Sequence, residues 1–130
     1  MKRTILLALL LACGTAQAAE WQLVGADTHS TKKFFVDASS IKVAGGVRHA
    51  WVKIIELPHQ VQTEDGKYVD YTIVRWAFNC SEATAKPEGG TEYYEDGTNL
   101  HNDFHVTMMP VTPDSVDETL MRFICAWKPK

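Results

Sequence analysis

Cys80 and Cys125 constrain this chain more than any other residues. A third cysteine, Cys13, lies in a segment that reads as a removable export signal, so processing leaves one even pair. In an oxidising compartment such a pair is expected to close into a disulfide, here joining the middle of the chain to its end. Closing that loop stabilises the fold by about 4 kcal/mol on the chain-entropy account, less any strain.

Lys2 and Arg3 supply a positive start, Ile5 to Ala12 a short apolar run, and Ala16-Gln17-Ala18 a small-x-small cleavage pattern. Residues 1–18 therefore read as a signal peptide and residues 19–130 as one domain. The apolar run is too short for a permanent span, and no later segment approaches the roughly 20 apolar residues a span needs. Leu10-Leu11-Ala12-Cys13 also resembles a lipobox, which would make Cys13 a lipidated N-terminus. The Ala-x-Ala site stands at the more ordinary distance from the start. The signal's composition is of Gram-negative type, so the expected destination is the periplasm, with the outer membrane or cell surface as the alternative.

Cleavage after Ala18 leaves 112 residues, enough for one real core and too few for two ordinary domains. Of 13 basic residues two leave with the signal, so 11 face 16 acids and the net charge is −5. That excludes a general nucleic-acid binder. Five basic residues lie between Lys32 and Lys53, and eight acids with no intervening base between Lys86 and Arg122. Such asymmetry marks either a binding face for a charged partner or two sets that neighbouring strands join as surface ion pairs. The second is the simpler expectation. Arg48 and Lys53 would fall on opposite faces of a strand, so no basic stripe forms.

Trp21–Ala26, Lys33–Asp37, Val47–Leu57 and Lys67–Asn79 are rich in aromatic and β-branched residues and read as strands. Further strands are expected at Thr91–Glu95 and near Leu100–Met109. Gly45-Gly46, Asp65-Gly66, Gly89-Gly90 and Asp96-Gly97 read as the turns between them. Thr112 and Pro113 then open a helix on which Val116, Leu120, Phe123, Ile124 and Trp127 share a side. The expected fold is α+β: an antiparallel meander of about six strands, packed by one C-terminal helix that the Cys80–Cys125 disulfide clips to the sheet.

The motifs that carry chemistry are few. His101, Asp103 and His105 alternate and would share one face of a strand, a donor set that suits zinc. Leu100, Phe104 and Val106 alternate with them, however, as the apolar face of an outer strand. The polar set is then its wet side, and no metal site is assigned. No Gly-x-Ser-x-Gly elbow, His-Glu-x-x-His helix or phosphate loop occurs, and neither late cysteine belongs to a Cys-x-x-Cys motif. No catalytic residue and no cofactor is assigned. Ser39-Ser40 read as a turn held by side-chain bonds to local backbone. Trp51, Trp76, Phe78 and Trp127 read as core or core edge. Tyr68, Tyr71, Tyr93 and Tyr94 are the better candidates for an exposed binding surface.

In order and spacing, several of these pieces resemble the surface-adhesin protein E family. They are the Trp21 strand, Phe35-Val36-Asp37-Ala38-Ser39-Ser40-Ile41, Val47-Arg48-His49-Ala50-Trp51, the strand ending at Cys80, Tyr93-Tyr94 with Asp96-Gly97, and Pro110 leading to a helix ending in Cys125. The resemblance implies a small exported Gram-negative domain with an antiparallel sheet packed by a helix. Its namesake is an outer-membrane lipoprotein that binds host matrix and serum proteins. The expected function is therefore non-catalytic binding of a protein ligand, with an adhesin-like role. The alternative is a periplasmic binder or enzyme inhibitor. An exposed edge strand would also let two copies pair as a homodimer.

Overall fold

The computed structural model describes residues 18–27, 29, 31–57 and 63–130. Residues 1–17 of the proposed signal peptide, Cys13 among them, lie outside the described residues. Among the described residues, eight strands form one antiparallel sheet: β1 (Trp21–Ala26), β2 (Lys32–Asp37), β3 (Lys42–Ala44), β4 (Val47–Glu56), β5 (Val69–Asn79), β6 (Thr84–Tyr94), β7 (Asn99–Asp103) and β8 (Met109–Pro110). One helix, α1 (Val116–Ala126), follows. The α+β class is as expected, but the strand count is eight rather than six. Six strands form the continuous order β1-β2-β4-β5-β6-β7, while β3 pairs with β4 and β8 with β6 along stretches that the main neighbours leave open. Strands of two and three residues carry too little pattern to be read from sequence.

Turn chemistry sets most of the meander. Gly45 and Gly46 take φ of 58° and 78° between the paired Ala44 and Val47, a two-residue hairpin that few other residues could make. At Asp96-Gly97 the Asp96 carboxylate accepts from the backbone N–H and hydroxyl of Thr98, at 2.8 and 2.6 Å. Gly89-Gly90 is the exception. It is no turn but lies inside β6, which runs unbroken for 11 residues. A Cβ on Gly90 would sit 3.1 Å from the Ile73 carbonyl oxygen and 3.1 Å from a Val74 methyl; one on Gly89 would sit 3.2 Å from the Asn102 carbonyl oxygen. Here glycine serves close approach of neighbouring strands rather than a reversal, and the β5–β6 register shifts beside it, between Arg75 and Trp76.

The helix begins later than expected. Ser115, not Thr112, is its cap, its hydroxyl accepting from Glu118 N–H at 3.2 Å. Leu120 and Ile124 are buried against Val36, Val52 and Phe78, with Val116, Met121, Phe123 and Trp127 packed around them. Burying each of the two fully contributes about 1.5–3 kcal/mol. Two anchors hold the helix's end. Cys80 and Cys125 are bonded, their Cα atoms 5.9 Å apart. Arg48 reaches from β4 to donate to the carbonyls of Ile124 and Trp127, at 3.0 and 2.7 Å. The last turn holds no basic residue of its own, so Arg48 brings the cation that the negative end of the helix dipole favours.

Candidate binding face

Cross-strand partners share a face, so the register sorts the sheet's two sides. Arg48, Ala50, Val52 and Ile54 face α1, together with their β5 partners Phe78, Trp76, Val74 and Thr72. The alternate residues point the other way, and no described element packs over them. Two rows of partners cross this open face. One runs Trp51, Arg75, Gly89, Asp103. The other runs Phe35, Lys53, Ile73, Thr91, His101. Beyond them Tyr71 stacks on Tyr93 at 4.6 Å between ring centroids, and Lys53 Nζ lies 4.4 Å from the Tyr71 centroid and 5.8 Å from that of Trp21.

Trp51 is held by the turn before β3. Asp37 is buried, and its carboxylate accepts from Glu20 N–H, Ser39 N–H and the Ser39 hydroxyl, closing the turn Ala38–Ser40. That turn ends β2's pairing at Val36–Val52, before Trp51 is reached, and the Ser40 hydroxyl accepts Trp51 N–H at 3.0 Å instead. The Ser39-Ser40 turn thus performs its expected local work and also anchors the backbone of Trp51, a residue 38% exposed.

Around Trp51 the polar groups are already oriented. Glu88 Oε2 lies 2.9 Å from His49 Nδ1 and accepts from Arg75 Nε at 3.0 Å. His101 sits between Thr91 Oγ1 at 2.9 Å and Asp103 Oδ1 at 3.2 Å. Trp51, Arg75, Glu88, Gly89, His101 and Asp103 line a shallow hollow of about 380 Å³. On its other side Trp51 borders a second, smaller groove with Ser40, Lys42, His49 and Arg75. The arrangement offers a flat ring flanked by fixed donors and acceptors, which suits recognition of a surface.

The sequence profile of the surface-adhesin protein E family matches residues 21–126. The chain belongs to that family. No curated protein matches its sequence. A solved structure of Haemophilus influenzae protein E superimposes with a TM-score of 0.56 at 20% identity, over 89% of this chain and 91% of that one. A second crystal form of the same protein gives 0.52 at 17% identity, over 83% and 97%. At these identities the likeness is one of fold.

Set beside this surface-adhesin protein E fold, the expected site residues divide. Cys80 and Cys125 form their bond on the helix side, away from the open face. His101 and Asp103 do share a face, but His105 lies beyond the end of β7, and among the described residues no three such side chains converge on one metal position. Leu100, Phe104 and Val106 are not the buried face of a strand. They are 51%, 40% and 42% exposed, because β7 is the sheet's edge and the helix packs on β1, β4 and β5. Tyr94 is buried, its hydroxyl donating to Glu92 Oε2 at 2.8 Å, a bond that raises its pKa; its neighbour Tyr93 takes the open face. Trp51, expected in or at the core, is instead the centre of the open face, and Arg75, which no sequence motif marks, is its cross-strand partner. Arg48 and Lys53 lie on opposite faces as expected, yet one caps a helix and the other covers aromatic rings.

Proposed function

We propose that this chain is an exported, non-catalytic binding protein that holds a host matrix or serum protein on the open face of its sheet. The observation that carries this is the uncovered face that holds Trp51, Arg75 and the stacked tyrosines beside Lys53. Tryptophan, tyrosine and arginine in well-oriented surroundings are the residues that dominate binding energy at protein interfaces. Membership of the surface-adhesin protein E family supports the adhesin role. Residues 1–18 are the signal and 19–130 the binding domain in this proposal, and the protein acts at the cell surface.

The test is binding of the purified exported protein to a panel of immobilised extracellular-matrix and serum proteins, alongside the double variant W51A/Y93A. At least one partner is expected to bind, and the variant to lose about tenfold or more in affinity with its thermal unfolding largely unchanged. Equal affinity of the variant for every partner overturns the assignment of the face. Labelling of intact cells with antibody decides between surface and periplasm. Exclusion of antibody, with binding only to a bacterial envelope protein, favours a periplasmic binder or inhibitor.

A further inference from the structure

The hollow beside Trp51 lies where a glycine brings two strands close together. In the row Trp51, Arg75, Gly89, Asp103, the third position carries no Cβ, and the Asp103 carboxylate closes over it: a Cβ there would lie 3.2 Å from Asp103 Oδ1. A glycine inside a strand marks a place where another backbone or a ligand comes close. Gly89 is such a place: Asn102 and Asp103 crowd it from β7, and it lies at the edge of the hollow between Arg75 and Asp103. At about 380 Å³ the space falls within the roughly 300–1,000 Å³ of small-ligand sites.

The lining selects among ligand classes. One wall is the indole of Trp51, whose negative face attracts weakly positive C–H groups. The remaining lining is one guanidinium, one imidazole and two carboxylates, Arg75, His101, Glu88 and Asp103. A phosphate or sulfate entering here would meet two carboxylates, and an ammonium group would meet Arg75. A neutral ring that is apolar on one side and carries hydroxyls at its edge opposes neither. Its hydroxyls both donate and accept, as this lining requires. The polar groups are also pre-oriented, Arg75 by Glu88 and His101 by Thr91 and Asp103, so little side-chain freedom is lost on binding.

The geometry points to a saccharide subsite: a neutral pyranose ring stacks on Trp51, and its hydroxyls bond to Arg75, Glu88 and Asp103, while His101 holds the Asp103 carboxylate in place. This deepens the proposed function, on which it rests, by naming the glycan of a host glycoprotein as part of what the open face holds. Ala77 and Trp76 lie in neighbouring positions but do not reach the hollow, which leaves Trp51 as its sole aromatic wall.

The test is titration of the isotopically labelled exported protein with glucose, galactose, N-acetylglucosamine and their short oligomers, followed through the indole N–H signals of its four tryptophans. One indole signal, the one absent from W51A, is expected to shift saturably at millimolar sugar. The response should weaken about tenfold in D103A, which alters an exposed side chain and leaves the core intact. No shift of any indole signal, or an undiminished response of the amide signals of Gly89 and Asp103 in W51A, overturns the subsite. A stronger response to a sialylated or sulfated sugar than to any neutral one overturns the neutral class. Enzymatic deglycosylation of a bound host protein separates the two proposals. Loss of binding on deglycosylation supports the subsite; retained W51A-sensitive binding rejects it while leaving the protein-binding face in place.

Discussion

The two faces of the sheet are built from the same strands and do opposite work. On the helix side, Val36, Val52, Phe78, Leu120 and Ile124 are almost wholly excluded from water, and the disulfide and Arg48 fasten the helix over them. On the open side Trp51, Arg75, His101 and Asp103 remain in solvent; Arg75 is held by Glu88, His101 and Asp103 hold each other, and the Ser40 hydroxyl accepts from the Trp51 backbone N–H. Alternation along each strand makes this division possible, because neighbouring residues serve different faces. Stability is thus concentrated on one side, and the other is released to carry side chains chosen for recognition. Substitutions should accordingly separate into those that unfold and those that unbind.

The largest effect tests that separation directly. Phe78→Ala, in the centre of the covered face, is expected to cost about 3–5 kcal/mol in urea unfolding. Trp51→Ala, at the centre of the open face, is expected to cost about 1 kcal/mol or less despite removing a larger ring. If the two losses are equal, the open face is packed against something that the described residues do not include, and the comparison fails.

The second prediction uses two cations on one strand. Arg48 lies on the covered face and donates to two carbonyls at the helix's end. Arg48→Met keeps most of the stem and removes the charge, and is expected to cost about 1.5–3 kcal/mol, the range for hydrogen bonds to a charged group. Lys53 lies on the open face over Tyr71 and Trp21, and Lys53→Met is expected to cost about 0.5–1 kcal/mol. Unfolding in 1 M salt sharpens the contrast, since screening weakens exposed charge contacts more than part-buried ones. Reversal of the order would mean that Arg48 does not hold the helix.

These contrasts also explain how much was legible beforehand. The covered face announces itself locally: Val116, Leu120, Phe123, Ile124 and Trp127 recur at helical spacing, and Val47–Leu57 and Lys67–Asn79 are dense in strand-forming residues. The cysteine pair follows from parity and compartment. The open face has no such signature. Trp51, Arg75, Gly89 and Asp103 are neighbours only through three successive strand registers, and no window of sequence contains them all. Gly89-Gly90 misleads because the same residue type serves a reversal and a close approach, and only the strand beside it decides which. Leu100, Phe104 and Val106 mislead in the same way, since their alternation promises a covering layer and the helix packs toward the β1 edge of the sheet rather than the β7 edge.

The smallest prediction concerns charge at the two ends of this architecture. Asp117, in the first turn of α1, is pushed above the ordinary carboxylate value of 3.8 by burial. Asp27, just past the end of β1, and Asp96, in an exposed turn, are held below it, mainly by the hydroxyls of Thr31 and Thr98. The signs are opposite. A carboxyl whose folded pKa is raised binds its proton more tightly when folded, so its contribution is best below 3.8 and declines as pH rises through the raised value. Asp27 and Asp96 contribute fully above 3.8 and lose their contribution as pH falls through their lowered values. Asp117→Asn should therefore leave urea stability unchanged near pH 3 and raise it at pH 7. The gain should be about 0.5 kcal/mol at most, because the site is partly solvated and the helix dipole favours the charge that is removed. A loss at pH 7 would show that the dipole outweighs burial. The covered face would then be tolerating Asp117 for the sake of its helix rather than at its expense.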